Sequence, residues 1–376
     1  MKPYIYSIIF LLSINFSFSQ TKETVFKKSY KTDANTILNL NLKYAGVIIE
    51  ESPNDSIYFN YDMVFGRYSK GARRNIKNQP KIKESQKENL INFEMKNSNF
   101  LGSQHFFTFD DVSEKLNWFI KDITKKPTIS SLKYKTIENI VDEIKNSQIN
   151  ILNNYRKKQY TESLNTKSVK LKKTVIQYFI IKVPKHIKIR LKAFDSNINI
   201  NYNMTSSFVL NSFKSILKFK ELSGLNNRII ASKGVIEAQE IAHARLELID
   251  LERTKIGTIK NTDFITETSR IEIGEVGENV KFTDFNSKMH LFNFTESFSD
   301  FNFKGDYSEL NFYNVKEQNY SMDVFGFNTT LNLNKVKTTF TVSEGKKTTK
   351  ILEKKPKKNS LNKIDIKLKN GILNIK

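Results

Sequence analysis

A seven-residue frame that keeps returning with different residues in it limits what this chain can become. "RIEIGEV" occupies residues 270–276, and "KMHLFNF", "ELNFYNV" and "TLNLNKV" follow it, each reading apolar–x–apolar–x–x–apolar. The three positions fall at Ile198/Ile200/Asn203, Leu217/Phe219/Leu222, Ile236/Ala238/Ile241 and Thr254/Ile256/Ile259. They continue at Ile271/Ile273/Val276, Met289/Leu291/Phe294, Leu310/Phe312/Val315 and Leu331/Leu333/Val336. Successive third positions differ by 19, 19, 18, 17, 18, 21 and 21 residues. Two residues ahead of each first position stand Ser196, Ser215, Gly234, Glu252, Ser269, Ser287, Ser308 and Thr329. Phe194, Phe213, Phe285 and Phe327 stand two earlier again.

Each column has a physical meaning. Apolar–x–apolar puts two side chains on one face of a strand. The extra x before the third apolar residue shifts the phase, so the strand bends or bulges for that residue to point inward. A small residue ahead of the strand suits a tight turn. A repeat of 17–21 residues cannot bury its apolar face alone, whereas stacked copies make a continuous core. The expected fold is therefore all-β, a β-solenoid of stacked rungs whose eight repeats span roughly 38 Å at the usual strand spacing. An antiparallel sandwich with evenly spaced strands is the alternative. The recurring small residue disfavours it, because hairpins seldom need one residue type at one phase.

The same grammar is fainter outside the array. "LNLNLKYAGVIIEE" (38–51) and "DIKLKNGILNIK" (365–376) read as the first and last rungs, covering ends that would otherwise template aggregation. Between them, "DDVSEKLNWFIKDITKK" and "TIENIVDEIKNSQINILNNYRKKQY" carry apolar residues at helical spacing, which predicts an inserted helical hairpin near the N-terminal end. Such an insert either plugs the stack or docks a partner. The expected organisation is residues 1–19 as a signal peptide, 20–99 as N-terminal strands or cap, and 100–162 as the helical insert. The β-solenoid repeats then fill 163–342, a basic loop 343–360, and a C-terminal strand pair 361–376.

The compartment is read from "MKPYIYSIIFLLSINFSFSQ": one cation, an apolar run, then Ser17 and Ser19 spaced as a signal-peptidase site. The run is too short to span a bilayer, and no later apolar segment approaches 18 residues, so no transmembrane span is expected after cleavage. Cysteine is absent, which excludes disulfides, thiolate metal sites and thiol nucleophiles. A formal charge of +22 favours anionic partners: an anionic envelope surface, acidic polysaccharide or another envelope protein, with nucleic acid disfavoured by export. Residues 66–87 carry eight Lys/Arg against one Glu, and 345–360 seven Lys against one Glu. Such runs are ordinarily solvated loops. The second interrupts the repeats and reads as a protruding arm. Lys346, Lys347, Lys350, Lys354, Lys355, Lys357 and Lys358, with Arg73 and Arg74, are its candidate contacts to an anionic surface.

No catalytic pattern emerges. His105, His186, His243 and His290 lie far apart without metal-ligand spacing, so neither metal nor cofactor is expected. There is no G-x-S-x-G, Walker loop or G-x-G-x-x-G. Asp250, Asp284, Asp300, Asp306 and Asp323 recur without sharing a column of the repeat, which disfavours a glycan-cleaving cluster.

"FNSKMHLFNF" and "TSRIEIGEV", with "IIKVPKHIKIRLKAFDSNININ" (180–201) ahead of them, resemble the β-strand-repeat envelope proteins of Gram-negative bacteria that go by the name of adhesins. In that family a "VPK" strand opens the solenoid, and turns written aromatic–small–acidic precede each strand. "SYKTDANTILNLNLKYAGVIIEE" (29–51) is similar to the family's first strand pair. The resemblance covers most of 25–98 and 170–376 but not the insert. Here the acidic turn residue is often Asn, Lys or Thr, and the chain is far more basic. The resemblance implies an exported, non-catalytic solenoid at the periplasm or cell surface, with no binding residue to carry over.

Overall fold

The structure is a computed structural model that describes residues 21–66, 68–98, 174–314, 320–333, 339–343, 349–354 and 362–376. The expected signal peptide and helical insert lie outside the described residues, as do Val315 and Val336. The chain forms two compact units, residues 1–22, 64–73 and 107–176 in one and 23–63, 74–106 and 177–376 in the other. In the described part of the first, Phe65 meets Tyr68 edge-on with ring centroids 5.9 Å apart, and Arg73 donates to the Tyr68 carbonyl at 3.0 Å.

The described residues are nearly all strand. The chain begins β1 (Thr21–Lys31), β2 (Ile37–Lys43), β3 (Gly46–Glu51) and β4 (Ser56–Gly66), then helix α1 (Lys70–Lys77). After it come β5 (Lys81–Lys87), β6 (Leu90–Lys96), β7 (Thr174–Val183), β8 (Lys188–Phe194), β9 (Asn197–Met204), β10 (Phe208–Phe213), β11 (Ile216–Leu222) and β12 (Asn227–Ser232). The long strands β13 (Val235–Ile249) and β14 (Arg253–Glu267) lead to β15 (Arg270–Val276), β16 (Val280–Phe285), β17 (Lys288–Phe294), β18 (Asp300–Asp306) and β19 (Glu309–Phe312). The last six are β20 (Ser321–Phe327), β21 (Thr330–Leu333), β22 (Thr339–Ser343), β23 (Thr349–Lys354), β24 (Lys363–Lys369) and β25 (Ile372–Ile375).

These strands form an open sheet whose hydrogen bonds run as two parallel ladders. One passes β6–β2–β8–β10–β12, through the C-terminal halves of β13 and β14, to β16–β18–β24–β20. The other passes β7–β3–β9–β11, through the N-terminal halves of β13 and β14, to β15–β17–β19–β25–β21. The frame explains the register. Ile198, Leu217, Ile236, Thr254, Ile271, Met289 and Leu310 are successive partners in one row, and Ile200, Phe219, Ala238, Ile256, Ile273, Leu291 and Phe312 in the next. Val276 and Phe294 belong to the third row. Apart from Ala238, all of these are buried, whereas Leu331 is half-buried and Leu333 ends β21. The core lies between the ladders, where Phe208 meets Phe219 with centroids 5.7 Å apart and Phe301 meets Phe312 at 5.6 Å. One frame position shifts: β9 bulges, so Met204 and not Asn203 partners Leu222, and Asn203 is exposed.

The two ladders are joined by a corner that barely varies. Its leading residue takes positive φ at Tyr44, Asp195, Lys214, Lys233, Asp250, Thr268, Asn286, Tyr307, Asn328 and Asn370. For a non-glycine residue this conformation costs about 1–2 kcal/mol. The small residue that follows supplies the offset. The Ser269 hydroxyl donates to the Glu267 carbonyl at 2.8 Å and accepts the Leu251 N–H at 3.1 Å, while the Ser269 N–H donates to the Ser287 hydroxyl at 3.0 Å. Ser215 treats Phe213 and Ser196 the same way. Backbone bonds continue around the bend, as in Asp195 N–H to Phe213 carbonyl and Thr268 N–H to Phe285 carbonyl, both at 2.9 Å. The Glu252 position departs because this corner holds one residue more: Leu251, not Glu252, donates its N–H to the Ser269 hydroxyl.

Four placements differ from the sequence expectation. The first strand pair, β2–β3, lies between β6/β7 and β8/β9 instead of ending the stack, and the last, β24–β25, lies between β18/β19 and β20/β21. Short parallel strands of one pattern accept any partner in phase, so chain order does not fix stacking order. Antiparallel β5 covers β6, and the hairpin β22–β23 covers β20. The basic segment 343–360 therefore contains strand, with Lys350 and Lys354 on β23, and the run 66–87 holds α1 and β5 instead of a loop.

Gly234 holds the small-residue position of its corner, yet a Cβ there would sit 2.2 Å from the Ser215 carbonyl oxygen. Gly234→Ser, which copies the residue of the neighbouring corners, should therefore lower stability by about 1–3 kcal/mol. Urea unfolding measures this as a lower midpoint at unchanged slope. An unchanged midpoint would show that the corners shift freely.

Candidate anion-binding face

The outward side chains of β5, β6, β2 and β8 make a strongly cationic surface. Alternation along each strand sends every second residue outward. In β8, Ile189, Leu191 and Ala193 enter the core while Lys188, Arg190, Lys192 and Phe194 face out. Lys43 on β2, Lys96 on β6 and Lys81, Lys83 and Lys87 on β5 share that side. Register lines them up across the strands: Lys81 beside Lys96, Lys96 beside Lys43, and Lys43 beside Phe194. Glu94 is the one carboxylate on this face, against eight exposed cations, and no described carboxylate forms an ion pair with any of the eight. Neighbouring strands lie about 4.8 Å apart, where like charges repel by about 1 kcal/mol in water. A bound polyanion relieves that repulsion.

Two features border the cations. Asn39 donates to Asn92 at 2.9 Å beside Arg190, and the Asn39 side-chain oxygen is buried without a hydrogen-bond donor among the described residues. At the corner, Phe194 stacks on Phe213 with centroids 5.5 Å apart and meets Tyr44 edge-on at 5.6 Å. The Lys214 ammonium lies 5.6 Å from the Phe213 ring centre. Further along the same ladder some cations are paired: Arg228 and Arg245 with Glu247 at 3.1 and 3.3 Å, and Lys369 with Asp306 at 3.6 Å.

The outer side of the other ladder is chemically different. Lys218, Glu237, Lys255, Glu272, His290 and Asn311 are successive partners in one row. Its charges satisfy one another: Lys218–Glu237 at 3.6 Å, Lys255–Glu272 at 3.5 Å, with Arg253 on Glu237 at 2.7 Å and Arg270 on Glu272 at 3.0 Å. Burial holds Lys255 below the ordinary lysine range despite the neighbouring Glu272. Burial likewise pushes His290 down to about 4, with its Nδ1 2.8 Å from the Tyr313 hydroxyl, and Tyr313 up to about 12. Asn374 donates to Asn311 at 2.9 Å and Asn332 to Asn374 at 2.6 Å, extending the row with amides. This is a stitch between strands in which each named cation has a carboxylate partner.

Of the cations singled out in the sequence, Arg73 and Arg74 lie on α1 and Lys350 and Lys354 on β23, while Lys346, Lys347, Lys355, Lys357 and Lys358 lie outside the described residues. The basic face draws on the first run only through Lys81, Lys83 and Lys87. Its other members were marked in sequence only by alternation, as in "KIRLKAF". His186 and His243 lie apart from His290, and no cluster of metal-ligating side chains occurs among the described residues. Asp284, buried, accepts from Thr266, the Ser287 N–H and Ser308, so it serves a corner. No described helix is long and apolar enough to cross a membrane.

The sequence matches no protein-family profile and no curated protein. Among solved structures it matches a candidate cell adhesion protein from Clostridium sporogenes, at 10% identity over 95% of this chain and 99% of that one, with a TM-score of 0.19. Similarity at that level leaves fold and role to be argued from the chain itself.

Because the folded value of His290 lies below its ordinary 6.5, the unfolded chain takes up the proton first as pH falls. The stability this residue contributes is complete above pH 6.5 and is lost as pH falls towards about 4. His290→Gln should thus lose less stability than the parent between about pH 7 and pH 5, measured by urea unfolding at each pH. Parallel losses in both proteins would contradict this account of the row.

Proposed function

We propose that this chain is an exported, non-enzymatic β-solenoid protein of the cell envelope that binds an anionic surface through the β5–β6–β2–β8 face. The observation that carries the reading is eight exposed cations against Glu94 on one side of four neighbouring strands, beside a ladder face whose charges are internally paired. The solenoid reading is supported by parallel register recurring at the repeat length, as in Ile256–Ile273–Leu291, and by corners hydrogen-bonded to corners. Export is supported by the pattern of the first twenty residues, and an adhesin-like role by the family resemblance of the repeats. A broad, shallow, charged face suits an extended polymer or membrane surface better than a small molecule.

The full chain should bind vesicles containing anionic phospholipid at low salt, with affinity falling steeply as salt rises. The variant Lys43→Gln/Lys96→Gln/Lys192→Gln should weaken binding by about 3 kcal/mol, taking about 1 kcal/mol per lysine near the surface. That is about a hundredfold, with little change in unfolding midpoint. Binding only to an acidic polysaccharide, with the same salt dependence and sensitivity to the variant, would keep the face and reassign its surface. Binding insensitive to salt or to the three substitutions would overturn the proposal.

A further inference from the structure

Beyond β8 the cationic face runs into apolar side chains. The next strands of that ladder are β10, β12 and the C-terminal half of β13. They turn Val209, Phe213, Ile230 and Ile249 outward, on the same side as Phe194 of β8. Phe194, Val209 and Ile249 are 37, 38 and 44% exposed, and Phe213 and Ile230 are half-buried. One exposed apolar side chain is ordinary, but these five share one side of four neighbouring strands. Register sets Phe194 beside Phe213, with Ser232 between Phe213 and Ile249.

Cations bracket this strip. Arg228 and Arg245 are register partners on the side away from the corner, with side chains 54 and 57% exposed. On the corner side stand exposed Lys214 and Lys233. The first has its ammonium near the Phe213 ring, and the second donates its N–H to the Ile249 carbonyl at 3.2 Å. Glu247 is the one outward carboxylate on β10, β12 and this half of β13, and both arginines pair with it. On β14, exposed Asp263 and Glu267 flank Ile265, and there the strip ends.

An acidic polysaccharide satisfies lysines but has no use for Val209, Ile230 and Ile249, whose branched side chains offer no flat ring to a sugar. A bilayer with anionic lipid satisfies both parts. Its phosphates meet the cations, and the acyl carbons just beneath accept apolar side chains. Lysine and arginine stems are long enough to keep their charges at the headgroups meanwhile. We propose that the anionic surface bound by this protein is a lipid bilayer, and that the strip from Phe194 to Ile249 enters its headgroup–acyl boundary. This rests on the anion-binding reading of the β5–β6–β2–β8 face and extends the contact to β13.

The chain lacks cysteine, so Ile249→Cys takes a single environment-sensitive label. On vesicles of equimolar phosphatidylglycerol and phosphatidylcholine, its emission should shift to the blue and be quenched by shallow nitroxide lipids. The same label at Phe325→Cys, on the outer side of β20 at the far end of this ladder, should do neither. Val209→Thr/Ile230→Thr/Ile249→Thr should weaken vesicle binding about tenfold or more, the worth of about two buried methylene groups. Its binding to heparin, which engages the cations alone, and its unfolding midpoint should stay unchanged. Suppose instead that vesicle binding responds to Lys43→Gln/Lys96→Gln/Lys192→Gln but not to the threonine variant, with the Ile249 label still in water. The inference then falls while the cationic face stands. Binding to heparin alone, or a solution dimer that the threonine variant abolishes, overturns it in the same way. Vesicle binding that ignores the three lysine substitutions removes the cationic face, and this inference with it.

Discussion

Everything in this fold turns on one local arrangement: a residue in the left-handed conformation followed by a buried small residue, usually serine. The left-handed residue reverses the strand, and the hydroxyl absorbs the amide and carbonyl left over by the reversal. Its second duty is intermolecular in kind though intramolecular in fact, because the accepted N–H belongs to the neighbouring corner. At Ser196, Ser215, Ser269 and Ser287 the bend is thereby indexed to its neighbour, in register with the apolar rows. Length variation is exported to the opposite side. Leu38 to Val47, Ile189 to Ile198, Phe208 to Leu217, Val280 to Met289 and Phe301 to Leu310 are all equal steps, whereas the return from Ile271 to Val280 and from Met289 to Phe301 differ.

The same geometry produces two chemically distinct outer surfaces. Parallel stacking repeats one side-chain position every strand spacing, so a column of like charges is costly and a column of alternating charges is self-satisfied. The Lys218-to-His290 row follows the second pattern and spends its ionic groups on neighbouring strands. The Lys81–Lys96–Lys43 row of the β5–β6–β2–β8 face follows the first. That contrast, more than net charge, directs attention to one side of one ladder.

Sequence made the columns legible because each repeat writes the same phase into the same row, and Ile256, Ile273 and Leu291 can be aligned by counting. It marked the serine column without giving its reason, which needed the neighbouring corner. Counting failed at Asn203, where a bulge passes the position to Met204, and at Glu252, where one added residue hands the corner contact to Leu251. The basic face was not readable as a whole. Lys43, Lys81, Lys96 and Lys192 come from segments far apart in the chain, and they meet only because β2 is inserted between β6 and β8. Short strands with one apolar pattern carry little information on which copy they will adjoin, so stacking order had to come from coordinates.

The position of β2–β3 bears on how the molecule is made. Ala45 is hydrogen-bonded to Ser196, 151 residues away, so β2–β3 is made long before one of its permanent neighbours exists. Likewise, β18–β19 and β20–β21 lack their shared neighbour until residues 362–376 arrive. Accretion in chain order is therefore barred at both places, and native topology is reached through contacts of high sequence separation. A polypeptide with this layout is most vulnerable while β18–β19 and β20–β21 have been made and β24–β25 has not, because their edges then wait unpaired.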